Sequence, residues 1–362
     1  MINILHTETL KKWGGQQKRV LSEITELKKR GYKIVLACNK DSVIAKKSKN
    51  EGIKVYELDF KKTNYLRTIP KLIKIIKTEN IDIISTHSST DSWAAGIAAK
   101  LTGRKFVRFK HNMFPIGKDP LTKFIYHIPD KFIAISDPIK DLMEQYGIDS
   151  SKITVIPTSV DTERFNPDKV KDLRNYFSIP KNAIVIGNIS GFAKQKAQHI
   201  LFQAFDLVSK KYSCFLLMAG NISERGMQEY LHLVSKSIQN KIIFTGYRED
   251  IPSILKSIDI YVSSAISEGL SIAVLEAMAM EKAVIVSDIP AFKSFIIDNY
   301  NGLIFKSENV EDLANKILYL IENENLRKKL RKNARKTILD RFSLEKMIED
   351  TEKVYKSLVN AE

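Results

Sequence analysis

At 362 residues, 44% of them hydrophobic, the chain is too long for one ordinary open-sheet domain and can bury two cores. Its two cysteines, Cys38 and Cys214, give no spacing for a zinc site or a disulfide framework, and they fit buried, reduced thiols in a reducing cytoplasm. No secretory signal is visible and nowhere do 18 apolar residues run together, so a soluble or peripheral protein is expected. The net charge of +16 is uneven: residues 1–175 carry 33 Lys and Arg against 20 Asp and Glu, the remainder 25 against 22. That excess fits solvated lysine-rich helix faces or an anionic membrane surface, whereas no motif supports nucleic acid.

Strand and helix signals alternate along the chain. Short β-branched runs predict strands at 2–6, 33–37, 53–56, 81–86, 105–109, 132–135 and 153–156, with amphipathic helices at 16–30, 66–77 and 92–101 among them. The pattern pauses over 157–180, bracketed by Asn166-Pro167 and Ile179-Pro180. It restarts with strands at 183–189, 215–219, 242–245, 258–262 and 283–286, and closes on a helix over 343–358 with Ser343 as a plausible N-cap. Such alternation needs crossovers, hence an α/β fold of two mostly parallel sheets with helices on both faces. The expected domains are 1–175, 176–340 and a terminal helical segment 341–362, with a ligand cleft between the two halves.

The sharpest feature is the string from Ser267 to Ala279, which follows a strand and opens an apolar helix. Unpaired N–H groups at a helix start favour an anion such as phosphate, and Gly269 lets a ligand approach the main chain. The carboxylates Glu268 and Glu276 accept hydrogen bonds from sugar or ribose hydroxyls. This string resembles the signature of retaining glycosyltransferases of family 4, which have the two-domain GT-B fold and two glutamates separated by seven residues. The resemblance implies that Glu268 lies beside the donor sugar and Glu276 holds the ribose. It implies that Gly269, Leu270 and Ser271 supply backbone amides to sugar and phosphate, and that the last helix crosses back to the N-domain.

Other strings match the family in order. Trp13-Gly14-Gly15-Gln16-Gln17 resembles its glycine loop, which approaches the donor phosphates. The string 86–93, with His87, and Arg108-Phe109-Lys110-His111 resemble a subgroup that builds lipopolysaccharide core or related surface glycans. There the second string usually reads Arg-Thr-Arg-His; Lys110 keeps the charge and loses bidentate geometry. The counterpart of His111 reaches the donor sugar. The loop 187–196 corresponds to one where the family places an arginine and a lysine against the donor diphosphate. Lys196 fills the lysine slot; residues 191–193 are Gly, Phe and Ala, which leaves Lys194 as the available substitute. The string 244–251, with Gly246, Tyr247 and Arg248, matches the loop bordering base and ribose.

These matches imply a nucleotide-diphosphate sugar as donor and a glycan or lipid-linked glycan as acceptor, at the cytoplasmic face of a membrane. Glu268, His111 and Lys196 are the expected catalytic residues. No cofactor is implied, and no Asp-any-Asp metal signature is present. Three other readings fit the sequence less well. A nicotinamide oxidoreductase lacks its three-glycine fingerprint at both domain starts. An epimerase of the same architecture is opposed by the glutamate signature, and a non-catalytic binder of nucleic acid or membrane explains only the charge.

Overall fold

Thirteen strands form in the computed structural model of the chain, which describes residues 1–359. Seven make one parallel sheet: β1 (Asn3–Glu8), β2 (Lys33–Asn39), β3 (Lys54–Leu58), β4 (Ile83–Thr86), β5 (Lys105–Lys110), β6 (Lys131–Ala134) and β7 (Ile153–Val155), in spatial order 3-2-1-4-5-6-7. Six make the other: β8 (Ile184–Ile189), β9 (Cys214–Ala219), β10 (Ile242–Gly246), β11 (Ile260–Ser263), β12 (Ala283–Ser287) and β13 (Leu303–Phe305), in order 10-9-8-11-12-13. Helices cover both faces, so central strands such as β12 (AVIVS) are buried at every residue and read as continuous apolar runs. Every strand expected from sequence is present. The thirteenth, β13, has only three residues, too few to show a period.

Both sheets change winding direction at their middle, between β1 and β4 in one and between β8 and β11 in the other. Such switch points, at the carboxyl ends of the strands, leave a crevice that no crossover helix fills.

The chain divides at Thr158/Ser159, not at 175/176 as the pause in the pattern had suggested. The strandless stretch after Ser159 is pinned to the second sheet by side chains. Arg174 pairs with Asp259 at 2.9 Å, Leu173 N donates to Ser257 Oγ at 2.7 Å, and Arg164 donates to the Glu249 carbonyl at 2.9 Å. The helix Leu344–Val359 belongs to the first unit. It buries Met347, Ile348, Val354, Tyr355 and Leu358 against the core that holds β1, β2 and the helix Gly15–Lys29. Arg30 fixes its register through Glu345 at 2.7 Å and Glu352 at 3.2 Å. Cys38 and Cys214 are free, buried thiols. Among the described residues no helix is long and apolar enough to cross a membrane.

Candidate functional site

In the second unit the switch point is closed by one amide. Asn188 on β8 donates to the Val262 carbonyl on β11 at 2.7 Å, and its own carbonyl accepts from Ser190 Oγ at 2.6 Å. Ser190 in turn accepts from Gln198 Nε2 at 3.0 Å. The loop leaving β8 is thereby bent back over the sheet. It ends in a short turn, Lys194–Lys196, and in Ala197 at φ 46°, a left-handed residue from which the helix Gln198–Ser209 starts. Neighbouring loops lock onto it: Ser264 Oγ donates to the Lys196 carbonyl at 3.1 Å, and Ile266 N donates to the Gln195 carbonyl at 2.9 Å. The strand ends are packed so closely that a Cβ at Gly220 would lie 2.1 Å from the Ser190 carbonyl oxygen. Gly220 N also donates to the Gly246 carbonyl at 3.0 Å.

On this platform Lys196 Nζ forms an ion pair with Glu268, the two side chains 23% and 14% exposed. The pair sits where β11 ends and the helix Ile272–Ala279 is about to begin, with Ser271 as its extended N-cap residue. Ser271 makes no side-chain cap bond, so the first amides of this helix are not claimed by its hydroxyl. One turn in, Glu276 is buried. Tyr261 on β11 is wholly buried too, and its phenol is raised far above the ordinary range, first by burial and then by the negative charge of Glu276 and Glu268. Sequence expectation thus placed Glu268, Gly269, Leu270, Ser271, Glu276 and Lys196 in one small region, and the structure brings them together. It had not singled out Asn188, Gly220 or Tyr261, which hold that region in shape.

Three sequence candidates in this unit stand differently. Lys194 is exposed. Phe192, in the slot range where an arginine was sought, packs on Tyr230 and Phe244 with centroids 5.0 and 6.1 Å away. Arg248 is engaged with its neighbour Asp250 through two bonds, 2.8 and 2.6 Å, whereas Tyr247 is 54% exposed beside the left-handed Gly246 at φ 67°.

In the first unit the switch point carries buried polar groups. Asp91 accepts from the amides of His87 and Ser88 and from the hydroxyls of Thr7 and Ser88, which fixes the turn between β4 and the helix Ser89–Thr102. Glu8, at the end of β1, accepts from the amides of Thr9 and Leu10 and from Gln16 Nε2, at 2.8, 2.9 and 2.7 Å. Gln16 also donates to the His87 carbonyl at 2.9 Å. This holds the Gly14-Gly15 turn, whose Gly14 is the extended N-cap of the helix Gly15–Lys29. Burial, with Asp91 nearby, raises the Glu8 carboxyl to about 7.

Alternation along β5 separates the residues of the Arg108–His111 string. Phe109 shares a core with β1, and His111 stacks on its ring at 5.6 Å. Arg108, only 3% exposed, turns to the other face and lies over the Tyr126 ring at 3.7 Å. Lys110 donates to Asn112 and Phe114 in three bonds of 2.7–2.9 Å and shapes the loop after β5. Burial and Arg108 lower its ammonium to about 8. Period-two alternation puts Arg108 and Lys110 on the face opposite His111, and Arg108 Nη1 has no hydrogen-bond partner among the described residues. His87 and His111 do meet, 3.2 Å apart, and His87 also contacts His6.

Two Rossmann-like units, each with polar side chains gathered at its switch point, define a glycosyltransferase of the GT-B architecture. The chain belongs to glycosyltransferase family 4: family models match it at residues 13–164 ("Glycosyltransferase Family 4") and 169–337 ("Glycosyl transferases group 1"). A glycosyltransferase structure from Rickettsia africae superposes with a TM-score of 0.92 at 27% identity, over 99% of this chain and 98% of that one. A second, Anabaena Alr3699/HepE in complex with UDP-glucose, superposes at 0.85 with 19% identity over 99% and 100%, a likeness of fold. In sequence, the Escherichia coli UDP-Gal:alpha-D-GlcNAc-diphosphoundecaprenol alpha-1,3-galactosyltransferase is 24% identical over 99% of this chain and 97% of its own length.

Proposed function

We infer that this glycosyltransferase moves a hexose from a UDP-sugar to a lipid-linked glycan in surface-glycan synthesis, with retention of configuration and without a metal ion. The observation that carries the reading is the Lys196–Glu268 pair at the start of the helix Ile272–Ala279. A lysine, a helix N-terminus and a carboxylate within one region supply a cation for a diphosphate and an acceptor for sugar hydroxyls. The UDP donor and the lipid diphosphate acceptor are those named for the E. coli relative.

On this reading the anomeric C–O bond to the diphosphate breaks while the acceptor oxygen bonds to the same carbon on the same face. The acceptor's hydroxyl proton passes to the departing phosphate oxygen. Lys196 and the helix amides stabilise the charge that develops on the diphosphate. Glu268 orients the sugar and Glu276 holds the ribose.

The acceptor's membrane is met by the first unit, which holds 32 Lys and Arg against 21 Asp and Glu when residues 1–158 and 344–362 are counted. Its exposed apolar residues include Leu101, Phe114 and Leu121, each about two-thirds exposed or more, and Phe124, over whose ring Lys100 lies at 5.7 Å. Apolar side chains among lysines suit an anionic bilayer surface.

The test is a thermal-shift and calorimetric screen of UDP, GDP, ADP and CMP in chelator, followed by UDP-hexose turnover. Stabilisation by UDP that fades in Glu276→Ala and Lys196→Ala is expected. Turnover by Glu268→Gln at the wild-type rate would contradict the role given to Glu268, and dependence on added Mg²⁺ would contradict metal independence. Sedimentation with vesicles containing anionic lipid, but not with neutral ones, is expected for the membrane contact.

A further inference from the structure

The cations of the helix Glu324–Arg341, in the second unit, are sorted by type. Three of its arginines turn inward onto main-chain carbonyls. Arg327 donates to that of Leu320 at 2.6 Å, Arg331 to that of Glu281 at 2.7 Å, and Arg335 to those of Phe165, at 3.1 Å, and Ala279. The lysines turn outward. Lys328, Lys329, Lys332 and Lys336 are all exposed, and spacings of three and four put them on one face, opposite the buried Leu330, Ala334 and Ile338. Lys328 pairs with Glu324 at 2.7 Å, whereas Lys329, Lys332 and Lys336 have no ion pair or hydrogen bond among the described residues. The one exposed arginine, Arg341 at the helix end, reaches the Ser294 carbonyl at 3.4 Å.

This helix holds the whole charge excess of its unit. Residues 159–343 carry 26 Lys and Arg against 21 Asp and Glu, and the helix accounts for eight of the first and two of the second. The rest of the unit is then 18 against 19, so a lysine-rich composition spread over every surface does not explain the stripe.

Apolar side chains that no core claims lie beside the lysines. Leu339, three residues after Lys336, is 48% exposed. The turn 297–301 is fastened along the same helix: Asn333 donates to the Tyr300 carbonyl at 2.8 Å, and Asn301 to Thr337 Oγ1 at 3.1 Å. That turn holds out Ile297 and Tyr300, 57% and 40% exposed.

Lysines rimmed by apolar side chains suit a bilayer better than a protein partner. Protein interfaces are rich in arginine and poor in lysine, and here the arginines are spent inside. Anionic headgroups ask for charge without fixed geometry, which flexible ammonium groups supply, and apolar side chains sink into the boundary between headgroups and acyl chains.

We propose that the second unit has its own contact with an anionic bilayer, made by Lys329, Lys332 and Lys336 with Ile297, Tyr300 and Leu339 at their edge. The contact is separate from the one read above for the first unit, and it rests on that reading for the membrane itself.

The experiment is sedimentation of the full chain with vesicles of phosphatidylcholine, with and without phosphatidylglycerol. Joint replacement Lys329→Gln, Lys332→Gln and Lys336→Gln is expected to lower partition onto the anionic vesicles by on the order of tenfold or more. All three positions are exposed, so the melting temperature should stay within about a degree or two. Ile297→Cys carrying an environment-sensitive dye reports the contact directly, because Cys38 and Cys214 are buried. Its emission is expected to shift to the blue with anionic vesicles and not with neutral ones. Wild-type partition by the triple variant, or an unshifted dye on protein that does sediment, would overturn the proposal. Loss of heparin binding alone, with partition unchanged, would do the same and would assign the stripe to other polyanions. In each of these cases the first-unit reading is judged separately, by Phe114→Ser with Leu121→Ser: loss of partition there keeps it standing. If the wild type sediments with neither vesicle, both contacts fall.

Discussion

Asn188 Nδ2 donates to the Val262 carbonyl at 2.7 Å, and this one bond spans the switch point of the second sheet, above the place where β8 and β11 pair only through Ile186–Ile260 and Gly187–Tyr261. The remaining amide oxygen accepts from Ser190, so a single side chain both ties the strand ends and starts the loop that delivers Lys196. Asn188→Asp removes the donor and places a carboxylate against a carbonyl. A loss of about 1–3 kcal/mol is expected, with weaker UDP binding. Urea melts and calorimetry measure the two; unchanged stability would show that the bond is dispensable.

Gly220 gives a backbone test of the same platform. Gly220→Ala would put a methyl 2.1 Å from the Ser190 carbonyl oxygen, which only a backbone shift can relieve. UDP affinity is expected to fall by at least severalfold, because the moved loop carries Lys196, with a melting temperature lower by several degrees. Retained affinity at a lowered melting temperature would separate the loop from the ligand.

Gly191 offers the opposite experiment, a gain. A Cβ there meets no atom within 4 Å, and its backbone is not in the left-handed region. Gly191→Arg is therefore expected to fold normally and to supply the cation that family 4 places in this loop. A guanidinium–phosphate contact adds about 1.5–3 kcal/mol when formed, so UDP binding tighter by about tenfold or more is expected. Lys194→Ala should change affinity much less than Lys196→Ala, since Lys194 is exposed and Lys196 is held by Glu268. Equal losses would assign Lys194 a direct phosphate contact.

Glu8 predicts a pH effect on the glycine loop. Burial, and then Asp91, raises its folded-state carboxyl to about 7, above its unfolded value near 4.5. Between those values the folded protein holds the extra proton, so this group's contribution to stability is full below about pH 4.5 and declines as pH rises through 7. Glu8→Gln removes that decline. The difference in melting temperature, variant minus wild type, is expected to grow by a few degrees from pH 5 to pH 8. A difference that does not vary with pH would show that Glu8 does not titrate there.

What could be read from the residues was what depends on local pattern. Apolar runs of four to seven residues announced twelve of the thirteen strands, because parallel strands are buried on both faces and need no alternation. The loop strings announced themselves too: Ser267 to Ala279 contains its glycine, its serine cap and both glutamates within one strand-turn-helix, so sequence neighbours stay neighbours in space. Arg108 and Lys110 show where that stops. They stand three and one residues before His111, yet period-two alternation turns both to the opposite face, where Tyr126 and the loop 112–114 engage them. Residues 159–175 likewise look like a tail of the first half and belong to the second, since Asp259, Ser257 and Glu249 claim them.

The sequence by itself determined the α/β class, the two sheets and the string holding Glu268 and Glu276, each written in short-range spacing that survives folding unchanged, whereas Lys196, 72 residues before Glu268, is reached from sequence only through the family resemblance. Only the tertiary structure decided that Glu8 holds Gln16, that Asn188 bridges to Val262, and that His6, His87 and His111 stand in one row. The members of that row are 81 and 24 residues apart along the chain, and they meet because β1, β4 and β5 are adjacent in the sheet. Strand order is set by crossovers and long-range burial, so no local spacing encodes which side chains will share a switch point.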